Sequence, residues 1–208
     1  MTDMSRDSLV ESLHLSIGEA ADRFESQGQH AAMARFLDTA AQDFGRRRPL
    51  VLIGTLTLVA DQPNYPAPAG LMQVVGTDWG SAERAKYNRW DGRYPGPMPL
   101  LRVRTAAANL REIWLRPTPT TEQIACLTDQ FVYTYHAVHS ISDTAADTTI
   151  TPEDRGLLLL RAQAEVAAEL ALRSINKPIT VRDGVSGAPR NSTPAALARQ
   201  LMTEFEKR

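Results

Sequence analysis

Residues that could do chemistry are few and scattered along the chain. His136 and His139 stand three apart in a stretch whose alternation predicts a strand, so their rings point to opposite faces and cannot share a metal. Asp143, Asp147, Glu153 and Asp154 gather around a loop and a helix start, but their spacing matches no calcium loop, and helix capping accounts for two of them. Cys126 is the single cysteine, which excludes an internal disulfide and fits a reducing compartment. Followed by an apolar residue and with no catalytic pattern around it, it is expected to be a buried, inert thiol. No Gly-rich phosphate loop follows a predicted strand, and GxSxG, HExxH and CxxC are missing from the sequence. The expectation is a chain with no catalytic residues, no metal and no cofactor, and not an enzyme.

One region does carry a recognisable chemistry. From Trp79 to Arg116 there are eight basic residues (Arg84, Lys86, Arg89, Arg93, Arg102, Arg104, Arg111, Arg116) against three acids, Glu83, Asp91 and Glu112. Trp79, Tyr87, Trp90 and Tyr94 are interleaved with them among Gly and Pro, in a loop over 76–99. Cations mixed with aromatic rings can line a nucleic-acid path, the cations meeting phosphates and the rings meeting bases. Arg84, Arg89 and Arg93 are the candidate contacts of that kind. The alternative is a solvated loop whose rings are tucked onto the domain as anchors.

The elements that must position this loop can be read from periodicity. Thr151–Ser174 has a hydroxyl cap, Pro152 at the first helical position, Glu153 and Asp154 at the positive end of the dipole, and a run of Leu and Ala around a polar stripe of Arg161, Glu165, Glu169 and Arg173. That predicts a central helix roughly 35 Å long, buried around most of its circumference. Amphipathic spacing predicts further helices over 8–24, where Gly18 can divide the run, and over 31–44, where Gly45 is expected to stop it. Arg46, Arg47 and Arg48 then either meet that helix's C-terminal dipole or form a phosphate site. Alternation predicts strands over 50–60, 110–116 and 130–140, and 71–75 is a short apolar element of either type. At the end, Thr193 caps and Pro194 opens a short helix with Leu197, Leu201, Met202 and Phe205 on one face. This helix either folds back on its own domain or serves as an arm that docks into a partner.

The totals set the frame. With 208 residues, 43% of them apolar, the chain can bury about 70% of its unfolded surface in one domain plus appendages. The net charge of −1 provides no whole-chain attraction to nucleic acid or membrane, so any such attraction must be local. From Asn176 onward there are six Lys and Arg against three acids, so the tail is cationic. No run has the length of a signal peptide or a membrane span, and the expectation is a protein that stays where it is made. The fold class expected is α+β: a helical bundle around one long central helix with a small antiparallel β module and an extended C-terminal arm. Its body spans 1–176 and its arm 177–208.

Six blocks in order carry a resemblance that covers nearly the whole chain: RFLDTAAQDFGRRRP (35–49), NYPAPAGL (64–71), LREIWLRPTPT (110–120), FVYTYHAVHSIS (131–142), DRGLLLLRAQAEVAAELALR (154–173) and KPITVRDGVSGAPRNSTPAAL (177–197). Together they resemble the head-to-tail adaptor, or head-completion, proteins of tailed bacteriophages and prophages. The resemblance implies a structural protein of the virion neck, assembled in the cytoplasm of the bacterial host. It implies a ring of typically twelve copies beneath the portal, joining the capsid to the tail and continuing the channel through which genomic DNA passes without sequence-specific contact. The partners implied are the portal protein, a stopper or tail-completion protein and further copies of the chain, with no membrane.

The family's C-terminal arm maps onto Lys177–Arg208, so Arg182, Asp183, Arg190, Asn191, Leu197, Leu201 and Phe205 are the expected portal contacts. Trp79, Tyr87, Trp90 and Tyr94 would face the tail or the next subunit. Deletion of Asn191–Arg208 is then expected to abolish portal binding and to leave the body folded. Two other readings stand beside this one: a tail-terminator or stopper ring, and a small DNA-binding module that uses the basic aromatic loop.

Overall fold

A computed structural model describes residues 3–174 and 193–208. It is an α+β protein. In chain order the elements are α1 (Arg6–Ile17), α2 (Gln29–Arg47), β1 (Leu50–Thr57), β2 (Asn64–Pro66), β3 (Leu71–Thr77), α3 (Ser81–Lys86), β4 (Leu100–Thr105), β5 (Arg111–Arg116), α4 (Thr121–Leu127), β6 (Gln130–Ala137), α5 (Arg155–Arg173) and α6 (Pro194–Lys207). They form two compact units, one from Met1–Arg48 with His139–Arg208 and one from Pro49–Val138. This division differs from the expected body over 1–176 and arm over 177–208. The β module is an insertion into a helical unit, and α6 belongs to that helical unit.

The helical unit packs α1, α2, α5 and α6 around a core of Leu9, Leu13, Phe24, Met33, Phe36 and Leu37 with Phe44, Leu158, Val166 and Phe205. Gly18, with a φ of +53°, ends α1, as the glycine predicted, and the chain continues as a 3-10 helix over Gly18–Gln27. Two helix ends differ from expectation. α5 begins at Arg155 because Pro152–Asp154 forms a 3-10 turn, in which the Thr151 hydroxyl donates to the Asp154 carboxylate at 3.1 Å. α2 runs through a buried Gly45 to Arg47, its last turn held by an Arg46–Asp43 ion pair at 3.0 Å.

The polar stripe of α5 faces α2 rather than solvent. Arg161, 4% exposed, donates to Asp43 of α2 and to Glu165 one turn on. Glu169 accepts from Arg35 of α2 at 2.5 Å and from Arg173 at 2.8 Å, the second being the i,i+4 pair that the sequence predicts. Burial alone would push the Glu169 carboxyl up, but these two guanidiniums outweigh it and hold the group below its ordinary value.

The inserted unit consists of two three-stranded antiparallel sheets, in orders β1-β6-β3 and β2-β5-β4. Its core is built from the inward positions of those strands. Phe131, Tyr133, Tyr135 and Ala137 of β6 are buried, as are Ile113 and Leu115 of β5, each set two residues apart as alternation requires. β1 pairs with β6 on one side, Leu50 opposite Ala137 through Thr57 opposite Gln130. Gly54 lies where the Tyr133 ring crosses the strand, and a β-carbon there would overlap the ring. β6 ends at Ala137, so His139 is not in the strand with His136. It belongs to the helical unit, where Nε2 donates to the Arg48 carbonyl at 2.8 Å and Nδ1 lies 3.0 Å from the Thr149 hydroxyl oxygen.

Candidate binding groove in the inserted unit

The stretch after β3 is fastened at three points, and each has a local cause. The Thr77 hydroxyl donates to the Val132 carbonyl at 2.6 Å and accepts from the Trp79 amide at 3.1 Å, which turns the chain out of the sheet. Trp79 folds inward: its ring packs on Phe131 at 5.4 Å and its indole N–H donates to the Thr128 carbonyl at 3.1 Å. At the far end Gln123, 5% exposed, is the third position of a capping box on α4, which Thr120 opens. Its amide nitrogen donates to the carbonyls of Pro95 at 2.7 Å and Pro97 at 3.0 Å. A single side chain thus starts a helix and pins the loop.

Between these anchors the short helix α3 and the segment over 87–99 enclose an open groove of about 630 Å³. Trp79, Tyr87, Trp90 and Tyr94 all line it, together with Arg84 and Arg89. The four rings singled out in the sequence therefore meet at one place. Arg84 donates from Nε to the Tyr94 hydroxyl at 2.7 Å. Arg93 is not on the groove wall; it lies over the Tyr87 ring at 4.7 Å and pairs with Asp91 at 3.1 Å, a bond that lowers the Asp91 pKa. Trp90, also on the groove wall, is 86% exposed.

Neighbouring this groove is a face formed by three of the eight cations counted in the sequence, which the sequence reading does not place together on one sheet. Arg102 and Arg104 of β4 and Arg116 of β5 project on the exposed side of the β2-β5-β4 sheet, around Trp114. The guanidiniums of Arg104 and Arg116 lie 5.8 and 5.5 Å from the Trp114 ring centroid. The signal was there in the alternation of LLRVRT over 100–105, which is strand-like and places Arg102 and Arg104 on one face.

The hydroxyls of Ser81 and Thr77 on the groove wall donate to main-chain carbonyls, at 2.8 and 2.6 Å, and neither meets a general base. Among the described residues no group of three His, Cys, Asp or Glu side chains could hold a metal ion. Asp143 instead sits 3.5 Å from Arg6, and Asp154 pairs with Arg48. Cys126 is exposed, contrary to the buried thiol expected: α4 buries Gln123 and packs Ile124 and Leu127 on the core, and Cys126 falls to one side of the arc they span.

Of the expected portal contacts, Arg182, Asp183, Arg190 and Asn191 lie outside the described residues. Phe205 is 3% exposed in the core of the helical unit. Leu197 and Leu201 line a groove with Ile17, Ala20, Val166 and Leu170. The C-terminal carbonyls of α6 are met by the arginine triplet, Arg47 donating to the Glu206 carbonyl at 2.8 Å and Arg48 to that of Arg208 at 3.3 Å. Two of the three arginines thus serve the end of a helix distant in sequence as well as the dipole of their own.

Among the described residues no helix is long and apolar enough to cross a membrane. The chain matches no protein-family model, and no curated protein sequence matches it.

Proposed function

We propose that the protein is a structural assembly subunit, a head-to-tail adaptor that forms a closed ring beneath a phage portal and continues the DNA channel toward the tail. The observation that carries this reading is strand β1. Its eight residues, LVLIGTLT, contain no charge and no proline, and it is an edge strand of its sheet. Soluble proteins ordinarily blunt such an edge with Lys, Pro or a bulge. Here the outward side chains add to its reach: Val51 and Ile53 are 57% and 74% exposed, on the face that Val132 of β6 shares opposite Thr55. An uncharged edge beside an uncovered valine and isoleucine face is a surface suited to another chain, and an adjacent copy of this protein is the occupant proposed.

In that assembly the helical unit is the rigid body, since its longest helices are bolted together by the Arg161–Asp43 and Arg35–Glu169 pairs. The portal contact is assigned to 177–192, with Arg182, Asp183, Arg190 and Asn191, and to the exposed Leu197 at the start of α6. Because Phe205 belongs to its own unit's core, deletion of Asn191–Arg208 is expected to weaken the body itself, and the test must use point variants. Negative-stain microscopy of the purified chain, alone and mixed with a portal ring from the same source, should show closed rings, and Ile53→Lys should abolish them. Single particles of one chain under both conditions would refute the reading.

A further inference from the structure

We infer that the aromatic groove and the arginine face of the β2-β5-β4 sheet form one continuous track for a single-stranded nucleic acid. Continuity comes from Leu100, which borders both the groove of Trp90 and Tyr87 and the shallow depression formed by Arg102, Trp114 and Arg116. A strand laid over Trp90 therefore leads directly onto the sheet.

The charge along this path is positive once local pairs are removed. Lys86 is paired with Glu83, Arg93 with Asp91 and Arg104 with Glu112. The three acids between Trp79 and Arg116 are each taken up by a neighbour, and the exposed Asp78, between Thr77 and Trp79, is a single acid beside the groove that is unpaired among the described residues. Arg84, Arg89, Arg102 and Arg116 form no ion pair among the described residues, which leaves four cations spread along the path. Arg116 stands opposite Leu100, two residues along β4 from Arg102, so these two unpaired arginines are offset by about 7 Å along the strand. Spread cations of this kind follow a chain of phosphates; they are not clustered to grip one carboxylate.

The rings decide between single strand and duplex. Trp90 exposes 86% of its surface and Tyr87 stands on the same wall. Such rings gain by stacking only on bases that are not already stacked and paired, and the gain is indifferent to sequence because every base has a flat face. The inference concerns the inserted unit alone and holds whether the chain acts singly or in a ring.

The test is fluorescence anisotropy of the full chain with a labelled oligothymidylate of about 15 nucleotides, titrated over a series of salt concentrations. Binding is expected to weaken as salt rises, with a log–log slope of about −2 to −3 for up to four neutralised phosphates. The double variant Arg102→Ala/Arg116→Ala should reduce that slope by about one and the affinity at least tenfold. Trp90→Ala should reduce affinity about fivefold or more and leave the slope unchanged. Arg199→Ala on α6 should change neither. All variants should keep the wild-type urea midpoint, since each replaced side chain is exposed or half exposed. The inference is overturned by absence of binding at low salt, by binding that ignores both sets of variants, or by equal affinity for a duplex of the same length.

Discussion

Replacing Phe205 by alanine tests whether α6 belongs to the body of the protein. The ring is 3% exposed and sits in the core shared by α1, α2 and α5. Removing a fully packed phenyl ring costs about 3–5 kcal/mol, transfer and cavity terms together. What remains to hold α6 is smaller: Ala198 is buried, Leu201 and Met202 are partly so, and Arg47 and Arg48 reach its last carbonyls from exposed positions, worth about 1 kcal/mol each at most. A helix of 14 residues is marginal on its own in water, so α6 cannot persist once undocked. With a urea dependence of about 2 kcal/mol per molar, a loss of about 4 kcal/mol lowers the unfolding midpoint by about 2 M. Hydrogen exchange should show amide protection over 197–207 falling first, with α2 and α5 following as the helical unit loosens. A variant with unchanged midpoint and unchanged protection in α6 would refute the reasoning and return α6 to the role of a free arm.

Other consequences can be checked on the same material. Arg161→Ala leaves Asp43 and Glu165 without the guanidinium that both contact, and should destabilise the helical unit by about 3 kcal/mol, read from urea unfolding. Gly54→Ala would force the Tyr133 ring from its place over β1; a loss of about 1–3 kcal/mol from the inserted unit is expected by near-ultraviolet circular dichroism melts, and an unchanged melt would contradict the packing described. Glu169 should contribute to stability above its ordinary value of 4.5, and the contribution should vanish as pH falls through its lowered folded-state value. The difference in urea midpoint between wild type and Glu169→Gln should therefore be largest near neutrality and close toward strongly acidic pH, and a difference independent of pH would show that the Arg35 and Arg173 contacts are not electrostatic.

Much of the fold was legible because its strongest signals are periodic. Phe131, Tyr133, Tyr135 and Ala137 alternate over eight residues of β6, and the Leu- and Ala-rich run with its polar stripe marks α5 as a helix, although Arg161 of that stripe is buried and Leu172 of the apolar arc is exposed. Short elements were not legible. α3 has six residues and α4 seven, too few for a period to stand out, and β2 is a three-residue strand ending in a proline. Division into two units was hidden for a different reason. The helical unit is closed by His139–Arg208 returning to Met1–Arg48, a pairing of distant segments that no local pattern announces.

The aromatic groove was the most legible functional feature, since four rings within sixteen residues of a Gly- and Pro-rich loop had few other places to go. Its continuation onto Arg102, Trp114 and Arg116 depended on the register of β4 against β5, Arg102 opposite Trp114 and Leu100 opposite Arg116, which pairs residues from two segments. The arginine triplet was read as serving its own helix; that it also meets the end of α6 required knowing where α6 docks.

The most direct test of the assembly account is the native mass of the full chain at micromolar concentration, measured beside that of Ile53→Lys. The account predicts a closed multimer of fixed copy number for the wild type and a single chain for the variant, with both equally folded. A wild-type protein that remains a single chain with and without a portal ring, or an Ile53→Lys variant that assembles as the wild type does, would contradict it.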